Sequence, residues 1–310
     1  MSPRLLMVLS ENWTITSPRN LRALVRMAVE AEQAGIDGVM LSEHIVLGPS
    51  AGANGVMDNP RDYAYPGNQE VDMAWPSSTV LLSGIAAATE RLRVVAGAII
   101  APLRHPLHLA KDLSTLDLLS EGRLAVIPTV SWHEEEYAAL GVPFHQRGEL
   151  LDEQLEILEL CAGPGPVSYH GRHFSFDDVW VEPRPFRDDG VVLWFGGQHL
   201  HGALLRRLVR WGRGFNPLGS PTAGELARLR TALTDAGRDP ASLEMVGGIR
   251  GRFPDSTGPA DLDEALEALP GQLEAGFETI CFKPSMFVDD AGDVGAFCRD
   301  LVRKVEAISS

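Results

Sequence analysis

Strand-like apolar runs and helix-like runs alternate eight times along this chain, and few folds accommodate that rhythm. Residues 5–9 read as a short buried strand. Ser17-Pro18 then offers an N-cap and a proline at the first helical position, and Leu21, Leu24, Val25, Ala28 and Ala31 recur at helical spacing up to Gly35. A strand at 38–41 precedes a helix over 75–89, a strand at 92–100 precedes a helix over 107–119, and a strand at 124–127 precedes a helix through 150–160. The second half repeats the pattern with strands at 191–195, 214–216, 243–249 and 279–282 and helices over 200–210, 223–236, 262–275 and 294–308. Eight such pairs in 310 residues predict an α/β fold, a (β/α)8 TIM barrel, rather than an open doubly wound sheet. No GxGxxG follows the first strand, which argues further against a dinucleotide-binding sheet.

The reading is one domain over residues 1–310 with two insertions. After strand 2, residues 45–74 form a long loop rich in Gly, Asn, Pro and Tyr, either a functional lid or a disordered excursion. Before strand 5, residues 164–181 alternate around Gly171 and read as a small hairpin.

A hydrophobic content of 45% supports a large core, whereas a net charge of −15 without any basic block excludes nucleic acid and an anionic membrane as partners. Cys161, Cys281 and Cys298 are widely spaced and form no CxxC, so they read as buried thiols in a reducing compartment. No signal-peptide pattern and no apolar run of membrane-spanning length is present, so the expected location is the cytoplasm. The segment His133-Glu134-Glu135-Glu136-Tyr137 lacks the second histidine of HExxH and reads as the acidic first turn of a helix. No metal site is expected. GxSxG and P-loop motifs are absent too.

In barrels, ligands gather where strands end. His44 closes the second strand and is either a proton or hydrogen-bond donor to a ligand or a histidine satisfying loop carbonyls; Glu43 either orients it or is solvated. At the end of the third strand, small residues around Ala98 and Ile99 suit a backbone that presses on a flat ring, or ordinary barrel packing. Gly196-Gly197-Gln198 precede a helix and either hold a phosphate on backbone N–H groups or make a tight turn. Trp13, Trp75 and Trp132 are candidate walls of a substrate pocket, or core.

Motifs along the chain are similar to those of the luciferase-like monooxygenase superfamily, in its branch of F420-dependent oxidoreductases of the actinobacterial type. They include Ala34-Gly35-Ile36-Asp37-Gly38 with Glu43-His44, then Ala86-Ala87-Ala88-Thr89-Glu90-Arg91-Leu92-Arg93 and Pro102-Leu103-Arg104-His105-Pro106. Leu116-Asp117-Leu118-Leu119-Ser120-Glu121-Gly122-Arg123-Leu124 and Leu140-Gly141-Val142-Pro143-Phe144 follow, then Tyr169-His170-Gly171 and Trp194-Phe195-Gly196-Gly197. Each is weak alone; in order they are specific. The resemblance implies a TIM barrel with a flavin or deazaflavin across its strand ends. It implies a bulge in the third strand, with a non-prolyl cis bond at Ala98–Ile99 behind the ring, and His44 near the ring. Gly196 and Gly197 match the family's phosphate-contacting turn, and a homodimer is implied as well.

The chain departs from the family in one place. Where a GVGVGW turn is usual it has Ile127-Pro128-Thr129-Val130-Ser131-Trp132, so either the hydroxyls of Thr129 and Ser131 replace the backbone donors as cofactor contacts, or the cofactor sits differently, is held weakly or is plain FMN. The expected function is oxidation or monooxygenation of a small organic substrate, by hydride transfer or oxygen activation, with F420 as cofactor and FMN as the alternative. An FMN enzyme would need a separate reductase as partner. A non-catalytic flavin-binding or cofactor-free barrel is the rival from outside enzymology.

Overall fold

A computed structural model describes residues 2–309. Its barrel strands are β1 (Arg4–Val8), β2 (Gly38–Leu41), β3 (Arg93–Ile100) and β4 (Leu124–Thr129), and, beyond a hairpin of β5 (Val167–His170) and β6 (Ser175–Val179), β7 (Val192–Phe195), β8 (Gly214–Phe215), β9 (Glu244–Gly248) and β10 (Thr279–Phe282). The eight close in the order β1-β10-β9-β8-β7-β4-β3-β2, all parallel neighbours, which is the (β/α)8 barrel expected. The outer layer comprises α1 (Leu21–Gln33), α2 (Ser78–Ala88), α3 (Pro106–Leu119), α4 (Glu134–Ala139), α5 (Arg147–Ala162), α6 (Gly202–Trp211), α7 (Ala223–Asp235), α8 (Leu262–Leu266), α9 (Leu269–Glu274) and α10 (Val294–Ser309).

Successive strand side chains point to opposite faces. On β1, Leu5 and Met7 therefore join the core under the helices, while Leu6 and Val8 join Val95, Ala125, Ile127, Trp194 and Val246 inside the barrel. The N-terminal end of the barrel is sealed. Arg93 and Arg4 both reach Glu244, which also accepts the Thr279 hydroxyl, and the Arg93 guanidinium lies 5.3 Å from the Trp194 ring. A Cβ on Gly214 would overlap that indole, so the strand there must be glycine. With the floor closed, the cavity opens at the C-terminal strand ends.

Several boundaries differ from the sequence reading. Helix α2 starts at Ser78 because Pro76 holds the preceding residue extended. The helix expected over 262–275 breaks into α8 and α9, where Pro270 lacks the N–H that would continue the ladder. The cis bond lies at Gly97–Ala98, one bond before the expected Ala98–Ile99. The β3–β4 register explains the offset: Gly97 pairs with Ile127 and Ile99 with Pro128, so Ala98 is the bulged residue.

Both insertions are anchored. The β5–β6 hairpin is tied to α5 by Glu153, whose carboxylate accepts the N–H groups of Arg172, His173 and Phe174. Residues 45–74 form a roof over the barrel mouth. Buried Arg61 donates to the carbonyls of Thr257, Ser285 and Val288 and pairs with Asp289, and the Asn59 amide donates to the Asp255 and Gly258 carbonyls. The roof is thereby fixed to the loops after β9 and β10. Among the described residues, no helix is long and apolar enough to cross a membrane.

Candidate active site

The strand ends and the roof enclose a cavity of about 750 Å³, in the range that takes a cofactor or drug-sized molecule. His44 lines it, and its Nδ1 lies 3.3 Å from Oε2 of Glu136, a side chain wholly buried in the first turn of α4. Glu136 also accepts the Ile45 and Val46 N–H groups and the Ser131 hydroxyl. A carboxylate can only accept, so Nδ1 carries a proton and Nε2 is the atom left for the cavity. Trp75 and Trp132 meet the imidazole edge-on, with centroids 5.2 and 5.8 Å away, and both line the cavity.

Glu43 is not the partner of His44. Its carboxylate is buried and occupied by Arg104, the Ser78 hydroxyl and the Ile100 N–H. It holds the end of β3 in place, because a buried carboxylate needs such partners. Ala98 faces the cavity while Ile99 is fully buried under the helices. Thr129 and Ser131 line it as well, and Ser131 has φ +56°, a backbone region that glycine favours. The chain has thus kept a glycine-like turn while adding a hydroxyl.

Gly196 and Gln198 line the cavity; Gly197 does not, and instead abuts Leu204. A Cβ on Gly196 would overlap the Asn216 carbonyl, so this glycine lets β7 and β8 approach closely. Among the described residues, the N–H groups of Gly197, Gln198 and His199 find no acceptor. Trp13 is absent from the walls. Its indole N–H donates to the Ala74 carbonyl and its ring lies on the main core, so it supports the base of the roof.

Three titratable residues escaped the sequence reading. Glu136 is 92 residues from His44, and its place in an acidic helix turn disguised it. Glu11 and Lys283 follow β1 and β10, and a charge just beyond a buried strand was the available signal. Glu11 lines the cavity and accepts the Ala64 N–H at 2.9 Å; fully buried Lys283 donates to the Asp62 carbonyl at 2.6 Å. Burial raises the Glu11 carboxyl above its ordinary range despite the opposing charge of Lys283, and burial lowers the Lys283 ammonium. His133 is lowered by burial too, and its Nε2 accepts the Gly48 N–H at 2.7 Å.

The luciferase-like monooxygenase family model matches residues 4–250. The chain belongs to that family. Its relatives include the pyrimidine monooxygenase RutA of Yersinia enterocolitica, 30% identical over 180 residues, 54% of this chain and 47% of that protein. The chain spans about half the length of the curated relatives it matches. Among solved structures, the monooxygenase RslO1 of Streptomyces bottropensis superposes with a TM-score of 0.74 at 19% identity, covering 97% of this chain and 99% of that one. An F420-dependent secondary alcohol dehydrogenase, seen with an F420–acetone adduct, gives 0.72 at 15%, covering 98% and 99%. At such identities these likenesses show the fold.

For a luciferase-like chain, the site suits a flat ring with a phosphate-bearing tail. Ala98, Ile100, Ile127 and Met40 form an apolar wall, and the turn after β7 brings Gly196 and Gln198 to the same cavity.

Proposed function

We propose that the protein is an oxidoreductase that uses a reduced flavin or deazaflavin, F420 in the leading reading, on a small organic molecule. The observation that carries this is the His44–Glu136 pair standing at the cavity beside the bulged end of β3. Ala98 and Ile100 would back the ring, and the turn at Gly196 and Gln198, which line the cavity, would take its phosphate. The ring, when bound, supplies a hydride or, for a flavin, reactivity toward dioxygen. His44 directs Nε2 at the reacting region, where it holds or delivers a proton, and Glu136 keeps the imidazole in that orientation. Trp75 and Trp132 shape the substrate side and, with the roof, exclude water.

The pyrimidine monooxygenase relatives favour a second reading, an FMN-dependent monooxygenase fed by a separate reductase. Titrating the purified protein with F420 and with FMN, followed by fluorescence quenching, tests both. Saturable binding of one ring is expected, and binding of neither overturns the proposal. Oxygen consumption with reduced FMN, and none with reduced F420, selects the second reading.

A further inference from the structure

Among the described residues, Arg250, two residues beyond β9, is the only arginine or lysine lining the cavity. Among the described residues no carboxylate lies within ion-pair distance of its guanidinium, in a chain that carries 42 acidic against 27 basic residues. Its partners are aromatic: the guanidinium carbon lies 5.7 Å from the Tyr63 ring centroid and 5.3 Å from that of Tyr65. Such stacking orients the planar fork while leaving its N–H groups unspent. Tyr63 lines the cavity as well, and its hydroxyl has no hydrogen-bond partner among the described residues.

The acids nearby are engaged. Asp62 turns its carboxylate onto the Tyr63 N–H at 2.7 Å, Glu11 accepts the Ala64 N–H, and Lys283 opposes both with a buried positive charge. Glu43, the other acid on the wall, is neutralised by Arg104. The roof segment carrying the tyrosines is riveted by Arg61, Lys283 and Glu11, so the two rings against which the exposed Arg250 lies are preorganised. This end of the cavity offers hydrogen-bond donors and positive charge, whereas the His44 end offers an acceptor nitrogen between two indoles.

We propose that Arg250 and Tyr63, with Tyr65 behind the guanidinium, form an anion-holding pole of the cavity, and that the substrate carries a carboxylate or comparable oxyanion which this pole grips. The assignment rests on the cavity being the active site, and it names the substrate class for that site. Two parallel N–H···O bonds from the guanidinium fork would fix the anion, with the Tyr63 hydroxyl as a third donor. The remainder of the molecule would extend toward Trp75, Trp132 and His44.

Benzoate and its neutral counterpart benzamide test the pole on the purified full chain, without cofactor, by quenching of tryptophan fluorescence. Benzoate is expected to bind at least about tenfold more tightly than benzamide. Arg250→Gln should abolish that preference, Arg250→Lys should keep part of it, and Tyr63→Phe should weaken benzoate alone. Arg303→Gln, on α10 and paired with Asp300, should leave it intact. Arg250 is exposed and makes no hydrogen bond among the described residues, so its variants should keep the parent melting temperature, which a thermal melt verifies. Equal affinities, unsaturable benzoate, or a preference that survives Arg250→Gln would overturn the proposal. Repeating the titration at saturating F420 or FMN separates the two sources of an anion: continued benzoate binding supports the substrate, and competitive displacement gives the pole to the cofactor's tail and overturns the substrate assignment. Failure of both rings to bind, with the benzoate preference intact, would sink the redox reading and leave the pole standing.

Discussion

Ser131 holds a left-handed backbone with a side chain attached, a conformation that costs a non-glycine residue about 1–2 kcal/mol. Its hydroxyl donates to Glu136, so the cost supports the carboxylate that orients His44. Ser131→Ala keeps the backbone cost and deletes the donor, and should lower stability by about 1 kcal/mol. Ser131→Gly removes both, and should be more stable than the alanine variant. Urea melts of the pair measure the difference, and equal midpoints would contradict the account. At His44 itself, replacement by Gln removes a group that exchanges protons, and turnover should fall about 10²–10⁴-fold with the fold retained. Stopped-flow assays with whichever reduced ring binds would measure it. That His44 stands at the cavity was legible from its place at a strand end; that Glu136 pairs with it was not, because the contact depends on α4 folding back under the roof.

Among the elements, the roof is the one most easily misread from sequence. A loop of this length with Gly, Asn and Pro suggests mobility, yet its buried arginine donates to three carbonyls on two other loops. Those contacts join residues about 200 positions apart, so no local pattern could announce them. Arg61→Met should strip donors from these carbonyls and cost about 2–4 kcal/mol. Hydrogen exchange should then rise across 45–74 while the barrel strands stay protected; uniform exchange would mean that the roof and barrel unfold as one. The hairpin, by contrast, was legible because its alternation and its glycine are local. The glycines after β7 were legible as a turn at a strand end, but the reason for Gly196 is the Asn216 carbonyl of the next strand end.

For the molecule as a whole, eight alternations were enough to indicate the barrel, since each pair is a local pattern repeated. The charges that follow β1 and β10 could be seen in the sequence, but their burial could not, because burial is a property of the closed ring. They give stability a definite pH dependence. The Glu11 carboxyl is raised above its ordinary 4.5, so its contribution is complete below that value and is lost as pH rises through the folded one. Lys283→Met removes the charge that opposes this shift, so the melting temperature of the variant should trail the parent more at about pH 8 than at about pH 5. A constant gap would show that Glu11 does not sense Lys283. Thiol chemistry reports on the same packing. Cys161 is pushed up to about 11, and Cys281 and Cys298 to about 12, all by burial, so thiol reagents should label them only after denaturation. The ring itself is closed by the pairing of Arg4 with Thr279 and Met7 with Phe282, between the first barrel strand and the last. During synthesis β1 therefore waits, one edge unpaired, until β10 clears the ribosome. Chaperone demand should concentrate in that interval, before the final strand arrives to cover an edge exposed since the start of translation.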